Sequence, residues 1–483
     1  DTTNPESSKV NPIKTKSRFN FGAHYYLSNS LNLGLFFERG SQFRLSFNMT
    51  GNFINDTVPK PIAKNVVRLN NDQLDKIKAD KSIFYRSLNR SLQEESIFIQ
   101  GASLDDKSVK ISVASSKFKS IPRLVGRSAR ILSALSPNEV EEIIVHTMNG
   151  DIETAIFKID RNEFDKGAEN VVSVNEILNK TKVTSNSSDP LLKRSEFKPK
   201  INFPEFSWTM APALKHQIGG PEGFYLGQLW WRTDTSIKFS RNFSLYTTFG
   251  LDIYNNFDSF NNASTSSLPH VRSDIQDYLS EGRNNIQRMK LEYMISPYKD
   301  WFIRADLGLM EEMFGAVGGE ILYRPFNKRY NLGLTLHKVK QRGFKQRFSF
   351  RKYEALTGHL SLYYDFPKGI SGQFMAGKYL AGDKGATVDL SRRFSTGFTL
   401  GVFATKTNVS AEEFGEGSFD KGFYFSIPTE LFYSDHRTGN ITFGMHPLTK
   451  DGGAILNQHN SLFSILGDSN RASVIRDWQD FLN

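Results

Sequence analysis

No cysteine occurs anywhere in the chain, which excludes disulfide bonds, thiolate nucleophiles and cysteine-type zinc sites. Also missing is any unbroken apolar run approaching the roughly 18 residues that a membrane-spanning helix needs, so a helical membrane protein is excluded. Bulk hydropathy is low, with 39% hydrophobic residues and a mean hydropathy of −0.42. His216, His270, His337, His359 and His446 are scattered, without His-Glu-x-x-His or a comparable spacing, and no metal or cofactor is expected. The N-terminus begins Asp-Thr-Thr-Asn-Pro-Glu and lacks a basic region followed by an apolar stretch. A secretory signal is therefore expected to have been cleaved or to lie outside this numbering.

Aromatic residues are abundant, at 13% of the chain with 40 Phe, 17 Tyr and 5 Trp. From Phe239 to Met445 the sequence repeats apolar/polar alternation, a tight polar turn, a second alternating run and a longer loop. Over 242–254, Phe243, Leu245, Phe249, Leu251 and Ile253 share one face, and Ser244, Tyr246, Thr248, Gly250 and Asp252 share the other. A strand has period two, so each such run has one greasy and one wet face. Successive runs joined by alternately short and long connections predict a transmembrane antiparallel β-barrel of roughly 14 strands, apolar outward and polar inward. The last of these strands is expected near 453–460. Low bulk hydropathy agrees, because every lipid-facing residue has a polar neighbour.

Residues 1–18 read as a loop or ragged end, and 19–53 as three short strands closing a first barrel. Their outward residues would be Phe21, Leu33, Leu35, Phe43, Leu45 and Phe47. Three strands leave two unpaired edges, which lipid does not tolerate, so an N-terminal polypeptide outside this numbering is expected to complete the sheet. A soluble meander packed on the next domain is the alternative. Residues 54–63, with Val58-Pro59-Lys60-Pro61, read as a linker, and 64–179 as a small periplasmic α/β domain. In it Ser120 is expected to cap a helix over 121–135, and Asn149-Gly150 to turn a hairpin. A second linker spans 180–200, the outer-membrane barrel 201–462, and a C-terminal periplasmic helix 463–483, capped by Asp468 or Ser469.

Apolar parity names the inward residues. Trp230, Arg232 and Asp234 fall on one strand, Tyr246 and Asp252 on the next, then Arg288 and Lys290, Arg304 and Asp306, and Arg393. These are the lumen-lining candidates for a surface that passes a polar or charged polymer, with aromatic rings as sugar-stacking faces. Equally, charges of both signs can pair across a plugged interior. Catalytic patterns are thin. Asp274, Asp277 and Glu281 read as a solvated short helix, Glu311-Glu312 as a loop tip, and 414–418 holds no Gly-x-Ser-x-Gly elbow. No enzyme is expected. The net charge of +10 is spread along the chain without a nucleic-acid reader motif. It suits an anionic polymer or a lipopolysaccharide surface better than nucleic acid.

Two glycine-punctuated motifs stand out: Phe414-Gly415-Glu416-Gly417-Ser418-Phe419-Asp420-Lys421-Gly422-Phe423-Tyr424-Phe425-Ser426-Ile427-Pro428 and His446-Pro447-Leu448-Thr449-Lys450-Asp451-Gly452-Gly453. With Phe36-Phe37-Glu38-Arg39-Gly40, they resemble the YjbH/GfcD family of outer-membrane proteins, although Lys450 and Ala454 depart mildly from its pattern. The resemblance implies a role in exopolysaccharide or capsule export or assembly. It further implies outer-membrane lipid around the barrel, periplasmic and lipoprotein partners from the same operon, and a longer chain with an earlier barrel. In physical terms Asp451-Gly452-Gly453 suits a tight turn with positive φ.

Overall fold

The computed structural model describes residues 16–28, 31–55, 57–62, 66–150, 152–220, 223–259, 266–414, 419–446 and 451–483. Residues 1–15, the turn at Asn29-Ser30, and positions 415–418 and 447–450 of the two glycine motifs lie outside them. Alternating sequence becomes strand in three separate sheets. The first is an antiparallel meander of β1 (Phe21–Ser28), β2 (Leu31–Glu38) and β3 (Gln42–Met49). Among the described residues no further strand pairs with β1 or β3 at its outer edge. Phe21, Leu35, Phe43, Leu45 and Phe47 are exposed, Leu45 to 76%, and Leu33 is partly covered.

The second sheet runs in the order β4 (Ile97–Leu104), β5 (Ser108–Ser115), β6 (Glu142–Asn149), β7 (Ile152–Asp160) and β8 (Lys182–Ser185). Only β5 and β6 are parallel, and parallel neighbours need a crossover, which the helix Ile121–Leu135 supplies. That helix starts where expected: the Ser120 hydroxyl accepts the Arg123 N–H at 3.4 Å, and Pro122 sits in the first turn. Leu124, Val125, Ala129 and Leu132 then face the sheet and are buried. Gly150, at φ +58°, turns the β6–β7 hairpin. Two helices escape the sequence reading, Arg161–Ala168 and Val174–Lys180, each too short to show a full apolar period. The stretch expected as a second linker carries β8 and the helical turn Leu191–Arg194.

The third sheet has 13 strands in strict sequence order, every neighbouring pair antiparallel. They are β9 (Glu205–Gly220), β10 (Gly223–Lys238), β11 (Phe243–Asn255), β12 (Asn285–Tyr298), β13 (Trp301–Leu309), β14 (Phe314–Tyr323) and β15 (Tyr330–Arg342). The remaining six are β16 (Phe350–Asp365), β17 (Ile370–Lys378), β18 (Lys384–Arg393), β19 (Thr399–Thr407), β20 (Asp420–Pro428) and β21 (Asn440–Met445). The apolar parity lies on one face throughout, leaving residues such as Leu251, Leu307, Leu334, Leu360 and Val402 exposed. Among the described residues β9 and β21 remain edge strands, with no ladder between them.

The sheet is strongly curled with its polar face inward. In a flat sheet β9 and β13 would be about 19 Å apart, four strand spacings. Yet Lys215 of β9 reaches Glu312, in the turn after β13, at 3.5 Å. The second sheet's domain likewise touches turns far apart in sheet order. Arg241, before β11, donates to Gln100 at 3.0 Å, and Lys119 donates to Asn440 of β21 at 2.9 Å.

The fourteenth strand expected near 453–460 does not form. That segment lies on the polar face, and side chains satisfy its backbone groups in place of a ladder. Glu311 accepts the Asn457 N–H at 3.1 Å and Glu320 the Leu462 N–H at 2.8 Å, while Arg272 donates to the Ile455 carbonyl at 2.7 Å. The single helix expected over the C-terminal stretch is divided into Leu462–Leu466, Arg471–Arg476 and a short 3-10 turn, Trp478–Asp480. Asn470, rather than Asp468 or Ser469, caps the second of these.

Candidate functional site

The polar face is built by register. Pairing of β12 with β13 sets Glu292 opposite Asp306, and pairing of β13 with β14 sets Arg304 opposite Glu320. Arg304 and Glu320 attract across the strands, the more so without solvent, and the like-charged Glu292 and Asp306 are held together by Arg304, which approaches both. Arg304 Nε lies 3.2 Å from Asp306 and its Nη2 3.2 Å from Glu320, with the Arg304 side chain 0% exposed. Lys290 Nζ is 2.5 Å from Glu292. Gly318 occupies the next place in the row after Asp306, where a Cβ would stand 2.6 Å from the His337 ring. The gap lets His337 Nε2 reach Asp306 at 2.8 Å.

Residues 451–466 cover this network. At the end of the sheet where the long loops cluster, one Asp451 carboxylate oxygen accepts the backbone N–H groups of Val271, Arg272 and Ser273 at 2.8–3.0 Å. Gly453, at φ +77°, then turns the chain, as its motif predicts. Ala454 and Leu456 join Val271, Tyr278, Met310 and Phe314 in a buried cap across that end. The helix Ile275–Glu281 therefore does more than meet solvent: its Tyr278 is buried and donates to the Arg342 carbonyl at 2.5 Å. Glu311 is no loop tip either, since Arg272 grips it through two nitrogens at 2.7 and 3.1 Å. Further along, Gln458 accepts from Lys290 at 3.4 Å, and Arg304 donates to both Gln458 and Asn460. Leu462 and Leu466 then pack on Phe302, Leu322 and Tyr363.

The ten candidates fall into separate groups. Lys290, Arg304 and Asp306 belong to the covered network. Arg232, Asp234 and Arg288 meet around Thr248, with Arg232 Nε 2.7 Å from Asp234 and Thr248 Oγ1 2.6 Å from Asp234. Arg232 stays 44% exposed. Tyr246, half-buried, sits opposite Lys290 in the β11–β12 register. Asp252 accepts from Gln228 at 2.7 Å, and buried Trp230 lies under Lys215 Nζ at 4.9 Å from its ring centre. Arg393 stands apart, paired with Asp468. Parity alone misses the covering residues Asp451, Gln458 and Asn460. The available signal is the loss of alternation in Asn457-Gln458-His459-Asn460-Ser461, a polar run that no half-buried strand would carry.

Beyond Gly467 the chain enters the second sheet's domain. Trp478 stacks on Phe481 with ring centres 4.4 Å apart and donates its indole N–H to the Val174 carbonyl at 2.8 Å. Both rings are buried in that domain's core. Arg123 pairs with Asp480 at 2.6 Å, and Arg127 donates to the Asn483 carbonyl at 2.9 Å. One segment thus links the long-loop cap, the polar interior and the α/β core. Among the described residues no helix is long and apolar enough to cross a membrane, and no trio of His, Asp or Glu gathers as a metal ligand set.

The family described as exopolysaccharide biosynthesis protein YbjH (YjbH) matches residues 2–468. The chain belongs to this family. It is 29% identical over 479 residues to the uncharacterized lipoprotein YjbH of Escherichia coli K12, covering 94% of this chain and 66% of that one. The chain thus spans just under two thirds of that relative's length. Among solved structures it is similar to OmpF of Salmonella typhi, in complex with daunomycin, at 7% identity and a TM-score of 0.27, covering 52% of this chain and 93% of that one. OmpT of Vibrio cholerae follows at 7% identity and a TM-score of 0.22, covering 46% and 79%.

Proposed function

We propose that this chain serves exopolysaccharide production as a plugged β-barrel of the outer membrane, holding its α/β domain on the periplasmic side for other components of the export machinery. Family membership supports the pathway. The observation that carries the mechanism is the continuous path of 451–483, which caps the long-loop end, hydrogen-bonds the buried charged groups of β12–β14 and ends inside the α/β core. A permeation lining would keep its charges in water, whereas here Arg304 has none. The exposed apolar face and curled polar interior are what a lipid-embedded barrel requires, and in lipid β9 and β21 would have to meet to remove the open edges. The test has two parts. The protein should be recovered in the outer-membrane fraction with heat-modifiable migration, and it should give no conductance steps in planar bilayers. Recovery as a soluble periplasmic protein would end the reading.

A second reading, translocation past the plug, draws on one observation. The inward face of β9, β10 and β21 stays accessible, with Ser207, Arg232 and Thr442 outside the covered network. Steady conductance that shifts on Arg232→Ala would favour a polysaccharide route along that arc. The sheet β1–β3 is proposed to pair with strands of an N-terminal polypeptide. Its exposed outward face and open β1 edge support this, and a crosslink between β1 and the α/β domain would count against it.

A further inference from the structure

Outward-facing residues of the large sheet are unevenly charged. On β15 the exposed register reads Leu332, Leu334, Leu336 and then Lys338 and Lys340, the lysines at the long-loop end. The same order recurs on the following strands. Lys352 precedes Leu356 on β16, Lys384 precedes Val388 on β18, Lys406 follows Val402 on β19, and Lys421 precedes Phe423 on β20. All these lysines are exposed, and each sits beyond the apolar belt on the side away from the α/β domain. The matching outward positions hold one acid, Glu354, which lies 3.8 Å from Lys338. No lysine occupies an outward position on β11–β14, so the charge covers only part of the circumference. Beside Lys338 and Lys340 the belt itself is dented by an apolar groove of about 710 Å³, lined by Leu291, Leu307, Val317 and Phe350.

We propose that this lysine collar and the groove beneath it form a binding surface for a phosphorylated, multiply acylated glycolipid of the outer leaflet. The proposal rests on the barrel reading above, which puts the long-loop end in that leaflet. Lysine stems lie along apolar surface and lift their ammonium groups to headgroup level, where they meet phosphate. The groove takes an acyl chain, and its position next to two lysines matches a ligand whose phosphates and chains share one compact headgroup. A single-chain or uncharged lipid would use only one half of the surface.

The test uses the full chain purified in detergent and mixed with diphosphoryl lipid A, with bound lipid read by native mass spectrometry. Wild-type protein is expected to retain at least fivefold more lipid A than the combined variant Lys338→Ser, Lys340→Ser, Lys384→Ser. Dephosphorylated lipid A should lose a similar factor on the wild type. Arg392→Ser, at the opposite end of β18, should leave retention unchanged. Equal retention by wild type and combined variant, or equal binding of dephosphorylated lipid A, overturns the proposal. Equal retention of phosphatidylglycerol overturns its commitment to a glycolipid. Heat-modifiable migration is read on the same samples. If it persists while lipid A retention fails to discriminate, only the collar is wrong; its absence from wild type removes the barrel reading and the collar together.

Discussion

Arg304 and Glu320 face each other across β13 and β14 at 3.2 Å, and neither side chain has appreciable contact with solvent. Removing one partner of a buried ion pair leaves an uncompensated charge, which costs about 3–5 kcal/mol. Arg304→Ala is therefore expected to lower stability by about that amount, since Glu292, Asp306 and Glu320 all lose their shared cation. Arg232→Ala, at a half-exposed pair, should cost at most about 1 kcal/mol. The readout is the temperature at which the compact species converts to the unfolded one on a gel. Equal shifts for the two variants would show that the covered network does not support the fold.

Removing the covering segment should open the interior. A chain ending at residue 450 is expected to give conductance steps in planar bilayers where the full chain gives none. Because that truncation also takes Trp478 and Phe481 from the α/β core, a milder variant is paired with it. Asp451→Ala deletes the acceptor for three backbone N–H groups and should produce brief, intermittent openings. A full chain that conducts as well as both variants would show that 451–466 does not seal the proposed barrel.

Docking of the C-terminus depends on one missing side chain. A Cβ at Gly126 would stand 1.6 Å from the Phe481 carbonyl oxygen, a backbone atom that no rotamer change can move aside. Gly126→Ala is expected to displace 478–483 while the crossover helix persists, since Ala is the better helix former. Limited proteolysis should then cut near the C-terminus at least tenfold faster than in the wild type. Trp478→Ala should loosen the same segment at a cost of about 3–5 kcal/mol. Unchanged cleavage in both variants would mean that the segment is held from the side of the large sheet alone.

Acid should loosen the contact between the α/β domain and the β20–β21 turn. Burial alone would raise the Glu430 carboxyl, but its hydrogen bond with His436 and the nearby Arg123 and Lys60 outweigh burial and hold it below the ordinary glutamate range. A carboxylate depressed in the folded state adds stability above its unfolded pKa, and that stability is lost as the pH falls through the folded value. Protection factors at 429–439, taken relative to intrinsic exchange at each pH, are thus expected to fall as the pH drops below the ordinary glutamate range. Glu430→Gln should flatten that dependence. A loss of protection of the same size in the variant would assign the effect to other groups.

Period-two alternation was enough to place 13 strands, because each strand's two faces meet different solvents and the pattern must appear in the residues themselves. The Ser120 cap and the Gly150 turn were readable for the same local reason. Inward parity also named Arg304, Asp306 and Lys290, though not their state. Whether an inward charge lines water or a buried ion pair depends on what fills the space in front of it, and here that is a segment more than 140 residues away, as the 156-residue separation of Arg304 and Asn460 shows. The polar run at 457–460 does break the strand pattern, but where that stretch goes instead could not be read from it, since its backbone groups bond to side chains of β12, β13 and the long loops. Local sequence determined the elements and the face each presents. Only the folded chain decided that the polar face would be covered, because a hydrogen bond to a distant carboxylate leaves no period in the sequence that makes it.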